Sequence, residues 1–193
     1  MKYFFQPLKP FRINQKFGEN KACVSIDGEN RCITCDGHNP PSGYKSLYGS
    51  QGHLGIDLAC YHGQEVYCAQ RGKVYGIDTN LRSGLDVRVE TEIDGQKFRH
   101  IYEHLLGYQY KIGDWVETGQ LIGWADNTGY SSGDHLHFQI EKFINGVWLP
   151  VDPLLFLEPM FAKNTLAINN SLKYIKEQIA LIADRLADFL RKR

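Results

Sequence analysis

Residues 87 to 105 constrain the fold of this chain more than any other stretch. Val87-Arg88-Val89-Glu90-Thr91-Glu92-Ile93 alternates apolar and polar side chains, Asp94-Gly95 follows, and Gln96 to Leu105 runs back. Alternation with period two belongs to a strand with one covered face. Asp-Gly between two such runs is a hairpin turn, since both central positions need a positive φ. Shorter strands are expected at residues 11 to 18, 65 to 69 and 72 to 77, and a glycine-bounded hairpin at Gly113 to Gly123. The fold class is therefore mostly β, a compact antiparallel sheet core, with one helical segment added at the C-terminus.

The chemistry concentrates in Gly133-Asp134-His135-Leu136-His137-Phe138-Gln139-Ile140. As a strand it places His135, His137 and Gln139 on one face and Leu136, Phe138 and Ile140 on the other. At about 3.3 Å per residue the two histidines stand roughly 6.6 Å apart. That spacing suits one imidazole holding a metal while its neighbour reaches the water on it. It also suits two solvated imidazoles on a polar face. Upstream, His53-Leu54-Gly55-Ile56-Asp57 supplies an imidazole and a carboxylate. Fully extended they would lie about 13 Å apart, too far to share one ion, and Gly55 lets the chain bend. His53, Asp57 and His137 together form a two-histidine, one-carboxylate set that leaves a tetrahedral zinc one open position for water. The net positive charge of such a centre lowers the pKa of that water and polarises a carbonyl. His104 and His135 are then left to handle protons, work suited to a pKa near 6.5.

One motif is a decoy. His100-Ile101-Tyr102-Glu103-His104 matches H-x-x-E-H, but that zinc-peptidase pattern requires a helix. On a strand Glu103 points away from both histidines, Phe98, His100, Tyr102 and His104 share one face, and His100 reads as a hairpin surface residue.

With 193 residues, the chain suits one domain with a real core, or one domain plus an appendage. Lys plus Arg and Asp plus Glu both number 22, so no net field recommends nucleic acid or an anionic membrane as partner. No apolar run approaches the roughly 18 residues of a membrane span. Pro7 and Pro10 interrupt MKYFFQPLKPF, which is not a secretory signal, so action outside a cell implies a removed signal or release by lysis or with a phage. Five cysteines cannot all pair internally. Cys32-x-x-Cys35 lacks the second pair that a structural zinc needs, and Cys60 and Cys68 read as small apolar residues or an optional disulfide. Residues 113 to 123 are also similar to carrier-domain hairpins, but no modifiable Lys falls between Lys111 and Lys142.

The expected organisation is a domain over residues 1–160 and an amphipathic helix over 161–193. Residues 19–52, rich in Gly and Pro, form a long excursion within the domain, either a groove wall or a surface loop. Ile168, Leu172, Ile175, Ile179, Ile182, Leu186 and Phe189 trace an a/d seam over about three heptads. The seam must be buried on its own domain, on a second copy or on another protein. Self-association is the sharper expectation: deleting residues 162–193 should lower the mass measured by light scattering. An unchanged monomer mass in both forms would refute it.

H-x-x-x-D at His53 to Asp57, Y-x-H-L at Tyr102 to Leu105 and H-x-H at His135 to His137 occur in that order. Together they resemble the lysostaphin/LytM-type zinc peptidases, which cut peptide bonds in bacterial peptidoglycan. Phe17-Gly18, the Gly113 to Gly123 hairpin, Thr128-Gly129 and Asp152-Pro153 also fall where that family has them. The likeness covers residues 11–18 and 53–157. It implies one zinc ion held by His53, Asp57 and His137, with His104 and His135 activating water and stabilising the tetrahedral intermediate. It further implies a peptidoglycan peptide as substrate and action at the cell wall, extracellular or periplasmic. Asp134 and Gln139 stand where the family often has Pro and Glu. Some relatives have lost ligands, so the alternative is a non-catalytic LytM-like scaffold or regulator, or a virion structural module, with a structural zinc.

Overall fold

The computed structural model describes residues 4–19 and 52–157. The cysteine-bearing excursion and the C-terminal helix expected from the sequence lie outside the described residues.

Among the described residues the chain forms ten strands: β1 (Ile13–Gln15), β2 (Ile56–Ala59), β3 (Glu65–Tyr67), β4 (Gly72–Asn80), β5 (Gly84–Ile93), β6 (Gln96–Tyr108), β7 (Trp115–Val116), β8 (Leu121–Ala125), β9 (His135–Ile144) and β10 (Val147–Val151). They pair antiparallel in the order β1-β2-β9-β6-β5-β4-β7, with β10 on β9 and β8 bridging β3 and β6. The expected hairpin at the centre is present: Asp94 and Gly95 both adopt positive φ, 51° and 76°, as a primed two-residue turn requires. The hairpin expected at Gly113 to Gly123 does not form. β7 pairs with β4 and β8 with β3 and β6, so the two short strands serve different parts of the sheet. Their own edges found longer partners elsewhere, a choice local turn residues cannot dictate. No helix among the described residues is long and apolar enough to cross a membrane.

The alternation read in the sequence is what fills the core. Leu136, Phe138 and Ile140 of β9 are fully buried, together with Ile56 and Leu58 of β2 and Tyr102 and Leu105 of β6. Each such side chain contributes about 1.5–3 kcal/mol on burial. Phe4 and Leu8 also enter this core, and the Phe4 N–H donates to the Phe156 carbonyl at 2.8 Å, joining the two ends of the described fold. Cys60 and Cys68 are free thiols, so the optional disulfide is not made.

His100 is not a surface residue: it is fully buried beneath the Phe4 ring. The Tyr102 hydroxyl accepts the Ala69 N–H at 2.7 Å and shares a hydrogen bond of 2.8 Å with His100 Nδ1. His100 Nε2, at the other side of the ring, is buried and has no hydrogen-bond partner among the described residues. Burial pushes His100 down to about 3, so the folded ring stays neutral where the unfolded one takes up a proton. Stability attributable to this site is intact above pH ~6.5. It falls as pH drops towards ~3, at up to about 1.4 kcal/mol per unit. His100→Phe should flatten that acid limb in denaturant titrations run from pH 7 to 4. An unaltered slope would show that another group governs it.

Candidate metal centre

β9 is central, and its register assembles the site. Asp57 of β2 lies directly opposite His137 on one side, and Glu103 of β6 lies opposite it on the other. The odd-numbered side chains of β9 therefore project from the face that the core does not use. His53 precedes β2 on a segment that bends at Leu54 and Gly55. Its N–H donates to the Glu19 carbonyl and its carbonyl accepts from Gly18, both at 2.8 Å. Gly55 does more than bend the chain. A Cβ there would sit 2.8 Å from His137 Nε2 and 2.5 Å from the Phe138 carbonyl oxygen, so any side chain would displace the imidazole.

These constraints bring three ligand atoms into a triangle. His53 Nε2, His137 Nδ1 and Asp57 Oδ1 stand 2.9, 3.0 and 3.1 Å apart along its three edges. His53 donates its Nδ1–H to the Lys16 carbonyl at 3.1 Å, which leaves Nε2 with a lone pair. Neutral rings then supply at most one hydrogen, from His137, for three mutual contacts. A single proton cannot satisfy all three edges, whereas a cation can. A tetrahedral zinc with bonds of about 2.0–2.1 Å separates its ligand atoms by about 3.3–3.4 Å, so the set fits zinc with small adjustment. The charge environment agrees. Burial pushes the Asp57 carboxyl up, but contacts with His137 and His53 outweigh this and hold it well below the usual carboxylate range. Burial pushes His137 down, yet the Glu103 charge and the Asp57 hydrogen bond carry it up to about 9.

His104 reaches the site by breaking the alternation of its own strand. Val87 pairs with Tyr102, but Leu85 pairs with Leu105, so β6 carries an extra residue and bulges. His104 takes up the slack with a φ of 64°. A regular strand would have left it on the core face beside His100 and Tyr102. Instead its ring centroid lies 4.6 Å from that of His135 and 6.3 Å from that of His137. The bulge is held from outside: the His104 N–H donates to the Ser83 carbonyl at 2.9 Å, and its Nδ1–H to the Thr128 carbonyl at 2.6 Å. The Thr128 hydroxyl donates to the Leu105 carbonyl at 2.9 Å and accepts the Leu85 N–H at 3.2 Å. This clamp needs Gly84, where a Cβ would meet Thr128 Oγ1 at 2.3 Å and φ is +63°. Gly84 and Thr128 are positioning residues that spacing alone did not single out. The Thr128-Gly129 turn was the only trace of them.

His135 donates its Nδ1–H to the Gly133 carbonyl at 2.8 Å and lies 3.7 Å, through Nε2, from Asp57 Oδ1. His104 and His135 are thus locked in the same tautomer, each with an Nε2 lone pair aimed away from its backbone acceptor. Burial and the neighbouring His135 push His104 down to about 4, which keeps its ring neutral. Both rings line an open groove of roughly 580 Å³, with Asn14, Gln15, Tyr130, Ser131, Ser132 and Asp134 around them. All five residues expected from the sequence meet at this one groove or the triangle beneath it.

Two buried imidazoles and one buried carboxylate, with their ligand atoms close together under a groove on an antiparallel sheet, make a group that could hold a metal ion. The profile of Peptidase family M23 matches residues 51–153, and the chain belongs to that family. Lysostaphin of Staphylococcus staphylolyticus is 37% identical over 108 residues, 55% of this chain and 22% of that protein. The glycyl-glycine endopeptidase ALE-1 of Staphylococcus capitis is 35% identical over 126 residues, 63% of this chain and 34% of that protein. The chain thus spans about a fifth to a third of the length of these relatives. Among solved structures, the catalytic domain of lysostaphin from Staphylococcus simulans superposes with a TM-score of 0.54 at 28% identity, covering 77% of this chain and 93% of that one. A zinc-containing peptidase from Vibrio cholerae gives 0.57 at 25% identity, over 79% and 39%.

Proposed function

We propose that this chain is a zinc-dependent endopeptidase that hydrolyses peptide bonds in bacterial peptidoglycan, in the stem or cross-bridge peptides. The observation that carries the reading is the ligand triangle of His53, Asp57 and His137 beneath a groove that two tautomer-locked imidazoles share. One zinc ion on that triangle would polarise the scissile carbonyl and lower the pKa of a water. The chain's own residues do the rest. The polar rim at Asn14, Gln15, Ser131 and Ser132 supports hydrogen bonding to an extended peptide in the groove. His104 and His135 present acceptor nitrogens and are assigned to take the proton from the attacking water and return one to the leaving amine. Their Nδ1–H bonds to the Thr128 and Gly133 carbonyls hold each ring in place while its Nε2 gains and loses that proton.

This assignment places the protein's action at the cell wall, in an extracellular or periplasmic setting, with wall peptide rather than nucleic acid as partner. Residues 1–160 are proposed as the peptidase domain and 161–193 as a helix for self-association or docking. The test is turbidity loss on purified cell walls of differing cross-bridge chemistry, followed by mass spectrometry of the released fragments. New amino termini at defined peptide positions support the reading. Intact walls of every type, with zinc bound, would instead mark a scaffold.

A further inference from the structure

His137 presents Nδ1 to the ligand triangle, so a neutral, metal-holding His137 carries its proton on Nε2. That N–H is buried with its ring and needs an acceptor, or the ring bears an unsatisfied donor and is free to swivel. Two positions along β9, on the same face, lies Gln139, which is 6% exposed and close enough for its side chain to help hold His137 above its usual pKa. An amide can offer either its oxygen or its nitrogen, and what decides is its other partner. Gln139 Nε2 donates to Glu141 Oε1 at 2.9 Å, and an ionised carboxylate only accepts. The amide nitrogen is thereby committed, and the oxygen is the end left for the imidazole. Glu141 in turn sits directly opposite Arg99 of β6 and lies in its field.

We infer that Gln139 is the positioning residue of the ligand His137, accepting its Nε2–H, and that Glu141 fixes the amide orientation that makes this possible. Resting on the zinc reading proposed above, the inference concerns how firmly the site is held, not whether it turns over. Outer partners of ligating histidines act by setting tautomer and ring orientation, and their loss typically costs about 10–100-fold in metal affinity. Glu103 is the rival acceptor, since it faces His137 across the strand pair.

Zinc dissociation constants of the full chain, measured by chelator competition, test the arrangement. Gln139→Leu should weaken zinc binding by about 10–100-fold, and Gln139→Glu, which keeps an acceptor at the same reach, should stay within about threefold of the parent. The visible spectrum of the cobalt-substituted protein should change in Gln139→Leu and not in Gln139→Glu. Glu141→Gln reads the second link without removing the amide, and should weaken zinc at the lower end of the same range should Gln139→Leu fail to fold. A folded Gln139→Leu with unchanged affinity overturns the inference, as does a loss found in Glu103→Gln alone. A parent chain that takes up no zinc overturns the zinc reading, and this inference with it.

Discussion

His137→Ala should lose stoichiometric zinc and cell-wall lysis together. In the proposed site the imidazole contributes one of three ligand atoms, and its removal leaves His53 Nε2 and Asp57 Oδ1, 3.1 Å apart. Two ligands do not make a closed zinc site with a single open position, so the affinity loss should exceed the 10–100-fold typical of outer partners. The substitution also deprives the buried Asp57 carboxylate of a partner, so a fall in melting temperature is expected alongside. Metal content after gel filtration and turbidity of wall suspensions give the two readouts. Lysis by a zinc-free variant would refute the mechanism, because the proposed polarisation of the carbonyl depends on the metal.

His104→Ala should give the opposite separation: zinc retained within a few-fold, and hydrolysis reduced by about 10²–10⁴, the usual contribution of a positioned acid or base. The expectation follows from geometry. The His104 ring stands 6.3 Å, centroid to centroid, from His137 and 4.6 Å from His135, beside the triangle rather than on a corner of it. Its Nδ1–H is spent on the Thr128 carbonyl, so only Nε2 is free to work. Replacement also releases a bulge residue whose φ of 64° an alanine tolerates poorly, so thermal melts must accompany the assay. A variant that loses zinc in proportion to activity would move His104 from proton handling to the support of the metal.

The two outcomes draw on different kinds of information. Strand existence came from period-two alternation and the Asp94-Gly95 turn, both local signals that survive without knowledge of the partners. The ligand types came from chemistry: two imidazoles and a carboxylate at spacings that a bent segment and one strand can bring together. Register was harder. That Asp57 faces His137 depends on how β2 lies against β9, two strands separated by most of the domain. The pairing of β7 and β8 with different strands depends on the same long-range choice.

The contrast is sharpest along β6. Its sequence alone determined a strand with Phe98, His100, Tyr102 and His104 on one face, and for His100 and Tyr102 that holds, although the face turned out to be core and not surface. Only the tertiary structure turned His104 away from them. Its bulge is stabilised by the Ser83 carbonyl and by Thr128, residues 21 and 24 positions away, through contacts that period counting cannot see. Gly55 divides in the same way. Its identity announced a bend, but the close approach of the His137 ring, which forbids any Cβ, arises only when a strand some 80 residues later packs against it. Sequence determined which groups are present and the local form of the chain. Tertiary contacts decided which way each group faces, because orientation is set by partners that only folding brings within hydrogen-bonding reach.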